Sequence, residues 1–137
     1  MVGIVILNYN DVVNTCACLD SVYRYCPEGS FSVCVVDNAS SSDVREAVGD
    51  HLAALDPKAK YIVSETNTGY ARGNNLALEY FDTCPEVDKV LILNNDIILT
   101  ENIIQPLSDF LSAHPDCGLV TPLLFSRSGN PDHACAR

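Results

Sequence analysis

The sequence predicts an α/β protein, a Rossmann-like three-layer α/β/α sandwich around a mostly parallel sheet. Three observations carry that expectation. Short apolar runs alternate with amphipathic stretches along the chain. Three of those runs, Gly3–Leu7, Ser32–Val36 and Lys89–Leu93, are almost continuously apolar, as in strands covered on both faces. A chain of 137 residues, 47% hydrophobic and 19% charged, is globular and of a size for one domain.

The elements follow in order. The first strand is expected over Gly3–Leu7. Its apolar character has no basic flank or small-residue cleavage site, so it reads as a strand and not as a signal peptide. Val12, Cys16, Leu19, Tyr23 and Cys26 recur at steps of four and three, which predicts a helix with Asn10 or Asp11 as N-cap. A second strand over Ser32–Val36 precedes a second helix marked by Val44, Val48, Leu52 and Leu55, with Asp43 and Glu46 spaced as a capping box. A third strand is expected at Tyr61–Val63 and a third helix over Gly69–Phe81, ending before Pro85. Val90-Leu91-Ile92-Leu93 forms the heart of a buried fourth strand. A fourth helix near Pro106–Ala113 stops before Pro115, with Pro106 suited to its first turn. Gly118–Pro122 is expected to be a fifth strand. The order βαβαβαβαβ implies parallel strands joined by right-handed crossovers.

Composition excludes several functions. A net charge of −10 offers no basic patch to phosphates, which argues against nucleic-acid binding. An anionic ligand would need a local offset: a cation, a helix N-terminus or a well-placed Arg. No apolar run reaches the roughly 18 residues of a membrane span. The seven cysteines follow no zinc or thioredoxin spacing. With Cys34 inside a strand and Cys16 and Cys26 on an apolar helix face, they read as buried thiols in a reducing cytoplasm.

In an open parallel sheet, ligands bind at the carboxyl ends of the strands. Four polar clusters follow the strands and would share that rim: Asn8-Tyr9-Asn10, Asp37-Asn38-Ala39-Ser40, Glu65 through Asn75, and Asn94-Asn95-Asp96. Strands must end in something polar, but four clusters rich in Asn and Asp look like a hydrogen-bonding ligand site. Asp37 suits a base edge or ribose and equally suits a turn. Asn8 and Tyr9 could frame a base, or cap a helix beside a half-buried ring. Gly69 and Gly73 permit close backbone approach where a helix begins. Arg72, one of only eight basic residues, could meet a diphosphate there or pair with a surface carboxylate. Asp96, flanked by amide oxygens, suits a hard divalent cation held partly by substrate phosphates, and equally an Asx turn. No G-x-G-x-x-G follows the first strand and no Walker motif occurs, so dinucleotide and P-loop readings fail.

Taken together, the stretches Ile4 through Asn10, Val35 through Ser40, Asn67 through Asn75 and Leu91 through Asp96 resemble the family 2 glycosyltransferases of the glycosyltransferase A fold, the nucleotide-diphospho-sugar transferase type, and particularly rhamnosyltransferase-like members. Val120-Thr121-Pro122 is a weaker match. The resemblance implies that Asn8 and Tyr9 contact base and ribose, and that Asp37 binds the base edge with Asn38 beside it. Asn67, Gly69, Arg72 and Asn74 would border the nucleotide and diphosphate. Asn94-Asn95-Asp96 matches the family's Asp-x-Asp-type motif, with Asn at the first position, which leaves Asp96 as the metal carboxylate for Mn2+ or Mg2+. It further implies a nucleotide-sugar donor, a saccharide or lipid-linked acceptor, inversion, a cytoplasmic location (peripheral at the inner membrane through another part of the protein) and a role in cell-surface polysaccharide synthesis. Members are commonly about twice this length. Residues 1–125 therefore read as the nucleotide-sugar-binding domain, and 126–137 as a loop leading into a missing acceptor-binding half that carries the general base. Rival readings are a non-catalytic sugar-nucleotide-binding fragment, a sugar nucleotidyltransferase, which would carry a Gly-rich basic loop where Asn8-Tyr9-Asn10-Asp11 stands, and a structural domain without a ligand.

Overall fold

A computed structural model describes residues 1–126 and 129. Its regular elements are β1 (Val2–Asn8), α1 (Val12–Tyr25), β2 (Phe31–Asn38), α2 (Ser42–Leu55), β3 (Lys60–Ser64), α3 (Gly69–Phe81), β4 (Lys89–Asn94) and α4 (Ile104–Ala113). The four strands form one all-parallel sheet in the order β3-β2-β1-β4. Two compact units divide the chain: Met1–Asn102, which holds the sheet and three helices, and Ile103–Arg137, which holds α4.

The strand order dictates the layers. The chain steps outward from β1 to β2 to β3, then returns past β1 to β4. Right-handed crossovers in opposite directions put their helices on opposite faces. Accordingly α1 packs with α2, while α3 packs on β1, β2 and β3. The alternation of side chains along a strand then sorts the core. Val5 and its register partner Cys34, with Val36, meet Ala77 and Phe81 of α3. Ile4, Ile6, Val33 and Val35, also fully buried, point to the other face of the pleat. The reversal between β1 and β4 is a topological switch point, where a crevice opens at the strands' carboxyl ends.

Two glycines let α3 sit tightly on β1. A Cβ on Gly3 would lie 2.9 Å from the Phe81 ring, and one on Gly73 would lie 2.6 Å from Leu7 Cδ1. Gly73 thus serves helix–strand packing and not the approach of a ligand. Gly69 opens α3 with φ +78° and nothing near the place of its missing Cβ.

Several expectations are corrected. Gly118–Pro122 forms no strand. A strand needs a ladder partner, and an apolar run without one stays irregular; Leu119 is 83% exposed. β4 is the end strand of the sheet, not a buried one, and Val90 and Ile92 are 40% and 45% exposed. Their register partners Gly3 and Val5 lie on the face where α3 packs on the other three strands. On α1 the buried line is Thr15, Cys18, Leu19, Ser21 and Val22. The expected Cys16 is only half-buried, because the core-facing stripe is displaced by about a quarter turn, one residue along the helix. Asp11 is the N-cap of α1, accepting from Asn14 N at 3.0 Å. The capping box on α2 does not form: Ser41 is the N-cap, without a side-chain cap, and Asp43 lies in the first turn. α4 starts at Ile104, which leaves Pro106 in its first turn. The cysteines at 16, 18, 26, 34, 84 and 117 are free thiols; Cys135 lies outside the described residues.

Candidate functional site

The carboxyl ends of the four strands gather the polar clusters on one rim, as the parallel topology requires. The rim has two parts, one on each face of the sheet.

On the α1/α2 face lies a buried hydrogen-bonded chain. Asn8 is fully buried at the end of β1. Its Nδ2 donates to Asp37 Oδ2 at 2.8 Å and to Ser40 Oγ at 3.2 Å, and its Oδ1 accepts from Thr15 Oγ1 at 2.8 Å. Asp37, its register partner on β2, is also fully buried. Its Oδ1 accepts from Ser40 N at 2.8 Å and lies 3.3 Å from Arg45 Nε. A buried carboxylate survives only when charge and hydrogen bonds replace water, and here both do. Arg45 also reaches Ser64 O at 3.5 Å from its Nη2. The Tyr61 hydroxyl donates to Arg45 O at 3.3 Å; burial, and then the Asp37 carboxylate, raise its pKa. The turns after β1 and β2 carry left-handed non-glycine residues, Asn10 (φ 53°) and Ala39 (φ 70°). They are held by Asn10 N donating to Ser40 Oγ (2.8 Å) and Ser41 N donating to Asn10 Oδ1 (2.9 Å).

On the α3 face Asn38 pins the loop before α3. Its Nδ2 donates to Asn67 Oδ1 (3.0 Å) and Gly69 O (3.3 Å), and its Oδ1 accepts from Thr68 N (3.0 Å). Asn67 Oδ1 also accepts from Gly69 N at 2.9 Å, an Asx turn that delivers the chain into the helix. The N-cap residue Thr68 makes no side-chain cap, so beyond Gly69 the first-turn N–H groups remain for an acceptor from outside. Arg72 sits exposed in that first turn and has no ion pair among the described residues. Asn74 is buried within α3; its Nδ2 donates to Tyr70 O at 3.0 Å, and its Oδ1 is without a partner.

The two parts meet at the end of β4. The exposed Tyr70 donates its hydroxyl to Asn94 Oδ1 at 2.9 Å, tying the start of α3 to the Asn94-Asn95-Asp96 turn. Asn95 Nδ2 donates to Thr15 Oγ1 at 3.0 Å, tying the same turn to the buried chain. Asp96 is exposed and has no ion pair among the described residues. Its charge reaches inward far enough to add to burial, the larger cause, in holding the Cys18 thiol up at about 12. Among the described residues no group of three or more His, Cys, Asp or Glu could hold a metal by itself. One carboxylate fits a cation that keeps water and phosphate ligands, and does not fit a closed protein cage. Asn94 Oδ1 is engaged by Tyr70, so Asn95 is the amide beside Asp96 whose oxygen accepts nothing from the described residues.

The rim therefore brings together all eleven expected site residues but sorts them. Asn8, Asp37, Asn38 and Asn74 are buried; the first three have their polar atoms engaged inside the protein. Tyr9, Asn67, Gly69, Arg72, Asn94 and Asp96 are exposed, and Asn95 is half-buried. Sequence reasoning missed Thr15 and Arg45. Thr15 falls on the buried stripe of α1, which lies about a quarter turn from the expected one, and Arg45 stands eight residues from the carboxylate it serves.

Residues 3–133 match the family described as glycosyl transferase family 2. The chain belongs to that family. It is 27% identical over 132 residues to a low-salt glycan biosynthesis hexosyltransferase, Agl10, of Haloferax volcanii, covering 94% of this chain and 38% of that protein. The fold is similar to that of S. aureus TarS residues 1–349, solved in complex with UDP, with a TM-score of 0.68 and 23% identity over 83% of this chain and 32% of that one. It is also similar to the mannosyltransferase PcManGT of Pyrobaculum calidifontis, solved with GDP-Man and Mn2+, with a TM-score of 0.58 and 24% identity over 72% of this chain and 28% of that one. No helix among the described residues is long and apolar enough to cross a membrane.

Proposed function

We propose that this chain binds the nucleotide-sugar donor of a family 2 glycosyltransferase, an enzyme that passes a sugar from a nucleoside diphosphate to a saccharide or lipid-linked acceptor. The Tyr70–Asn94 hydrogen bond carries the reading, because it sets the uncapped start of α3 beside the turn bearing Asp96. One side offers N–H groups and the unpaired Arg72 to an anion; the other offers a carboxylate to a cation. A diphosphate chelating a divalent ion needs both, side by side.

In this reading the exposed Tyr9 provides an apolar wall for the base, over a floor fixed by the buried Asp37 and Asn8. Asn67 and Gly69 border the ribose and diphosphate, and Arg72 meets the phosphates. Asp96, with Asn95 beside it, would hold Mn2+ or Mg2+, which supplies charge compensation for the departing nucleoside diphosphate, an effect typically worth several kcal/mol. Transfer is read as inverting. The acceptor oxygen bonds to the anomeric carbon as the bond to the diphosphate oxygen breaks, and the acceptor's proton passes to a carboxylate base that we assign to no residue of this chain. That UDP and GDP-Man occupy two proteins of similar fold supports a nucleoside diphosphate as the ligand class and leaves UDP, dTDP and GDP as the donors to test. A role in making cell-surface polysaccharide, at the cytoplasmic side of the membrane, belongs to the same proposal.

The chain spans 38% of the length of the hexosyltransferase it matches. That share favours a second reading for the chain taken alone: donor binding without transfer. Calorimetric titration with UDP, dTDP and GDP, each with Mn2+ and with EDTA, tests the donor binding that both readings require, and sugar release or transfer from the bound donor separates them. Saturable binding strengthened by the metal is expected. No binding of any of the three nucleotides, with or without the metal, would sink the proposal.

A further inference from the structure

We infer that Thr15 is a positioning residue that couples the cation-bearing turn after β4 to the base-binding rim after β1 and β2. The inference deepens the donor-binding reading above and rests on it. The Thr15 side chain lies buried on α1, across the switch point between β1 and β4, where the strand order reverses and nothing in the sheet's own ladder links Asn95 to Asn8. Its single hydroxyl fills that break. Oγ1 accepts from Asn95 Nδ2 at 3.0 Å and donates to Asn8 Oδ1 at 2.8 Å; Asn8 Nδ2 then donates to Asp37 Oδ2 at 2.8 Å. Every donor in the series points the same way, from the Asp96 turn toward the Asp37 carboxylate, so each bond polarises the next.

The direction has a chemical consequence. Asn8 spends both amide hydrogens on Asp37 and Ser40, so only its oxygen faces Thr15. The threonine hydroxyl must donate to that oxygen and is left to accept from Asn95. Asn95 must therefore turn its nitrogen inward, which reserves its oxygen, the atom type a hard cation takes, for the side next to Asp96. Without the hydroxyl, the two faces of the Asn95 amide lose their distinction, and a donor N–H can turn toward the cation in place of the oxygen. The Asp37 half and the Asp96 half would then respond to ligand separately.

The test measures the metal enhancement, the ratio of dissociation constants in EDTA and in Mn2+, for whichever of UDP, dTDP and GDP binds the wild-type chain most tightly. Thr15→Val keeps the shape and removes the hydroxyl; Thr15→Ser keeps the hydroxyl. The expected result is a fall in enhancement of about tenfold in Thr15→Val and its recovery in Thr15→Ser. A merely structural threonine would weaken both dissociation constants together and leave the ratio where it was, and that outcome overturns the inference. Should Thr15→Val fail to fold, Asn95→Ala cuts the same joint from its half-buried end, and an unchanged ratio there overturns it equally. Wild-type binding with no metal enhancement overturns the coupling while the donor reading stands. No wild-type binding at all removes both.

Discussion

Asn8 and Asn94 end adjacent strands one register position apart, so the pleat turns the same side chain to opposite faces and into opposite surroundings. Asn8 is sealed, with both amide hydrogens and its oxygen engaged by Asp37, Ser40 and Thr15. Asn94 is exposed and holds one side-chain bond, to the equally exposed Tyr70. The same contrast runs through the whole rim. Its β1–β2 half is a closed polar core, and its α3–β4 half is an open mouth. Residue type alone does not separate scaffold from ligand contact; the number of partners already taken does, because a buried amide with no spare valence has nothing to offer a ligand.

That contrast can be broken by substitution. The largest effect is expected from Asp37→Ala, which leaves Asn8 and Ser40 N without their carboxylate acceptor and Arg45 without its counter-charge. Urea unfolding should show a loss of about 3 kcal/mol, and a loss under 1 kcal/mol would mean that the closed half is not a core. Gly73→Ala should follow, at about 1–3 kcal/mol, because the new methyl group meets Leu7 Cδ1 at 2.6 Å and forces the Leu7 side chain or α3 to shift. Asp96→Ala and Arg72→Ala, on the open half, should change stability by no more than about 0.5 kcal/mol. Each should nevertheless weaken nucleotide binding about tenfold or more, Asp96→Ala only when Mn2+ is present. Equal losses of stability on both halves would erase the distinction.

A pH dependence sharpens the comparison with the apolar core behind the rim. Burial holds the Cys18 and Cys34 thiols up at about 12, against an ordinary value of 9.0. A group whose folded pKa is raised contributes stability that is complete below its unfolded pKa and lost as pH rises through the folded one. Stability is therefore expected to fall between about pH 9 and 12, with Cys18→Ala, Cys34→Ala double variants showing a shallower alkaline decline in a melting series. Native Cys18 and Cys34 should also resist iodoacetamide at pH 8 until urea unfolds the chain.

Much of this was legible in the sequence, for reasons that can be named. The helix expected over Gly69–Phe81 matches α3 to the residue, with Gly69 at its start and Pro85 beyond its end marking it in the sequence. The rim was legible because parallel strands must end on one side. What failed depended on partners that a linear reading does not supply. Gly118–Pro122 has the composition of a strand but no ladder to join. Val90 and Ile92 have the composition of a core and lie on an end strand. Cys16 was expected on the apolar face of α1 and Cys18 was not, and only packing decides that the inward face lies about a quarter turn away. Thr15 and Arg45 carry no motif; each matters through a bond to a residue far along the chain, at Asn95 and Asp37.

The seating of α3 has a mechanical side. It approaches β1 closely at two places where one partner is a glycine, Gly73 against the Leu7 side chain near the rim and the Phe81 ring against Gly3 at the opposite end. Eight helical residues separate those places, about 12 Å along the axis. The helix is thus a beam resting on two supports, and lifting one support by about 1 Å rotates the beam by about 5° about the other. A bulky residue at position 3, on the far side of the sheet from any ligand, would reach Arg72 as a change of aim.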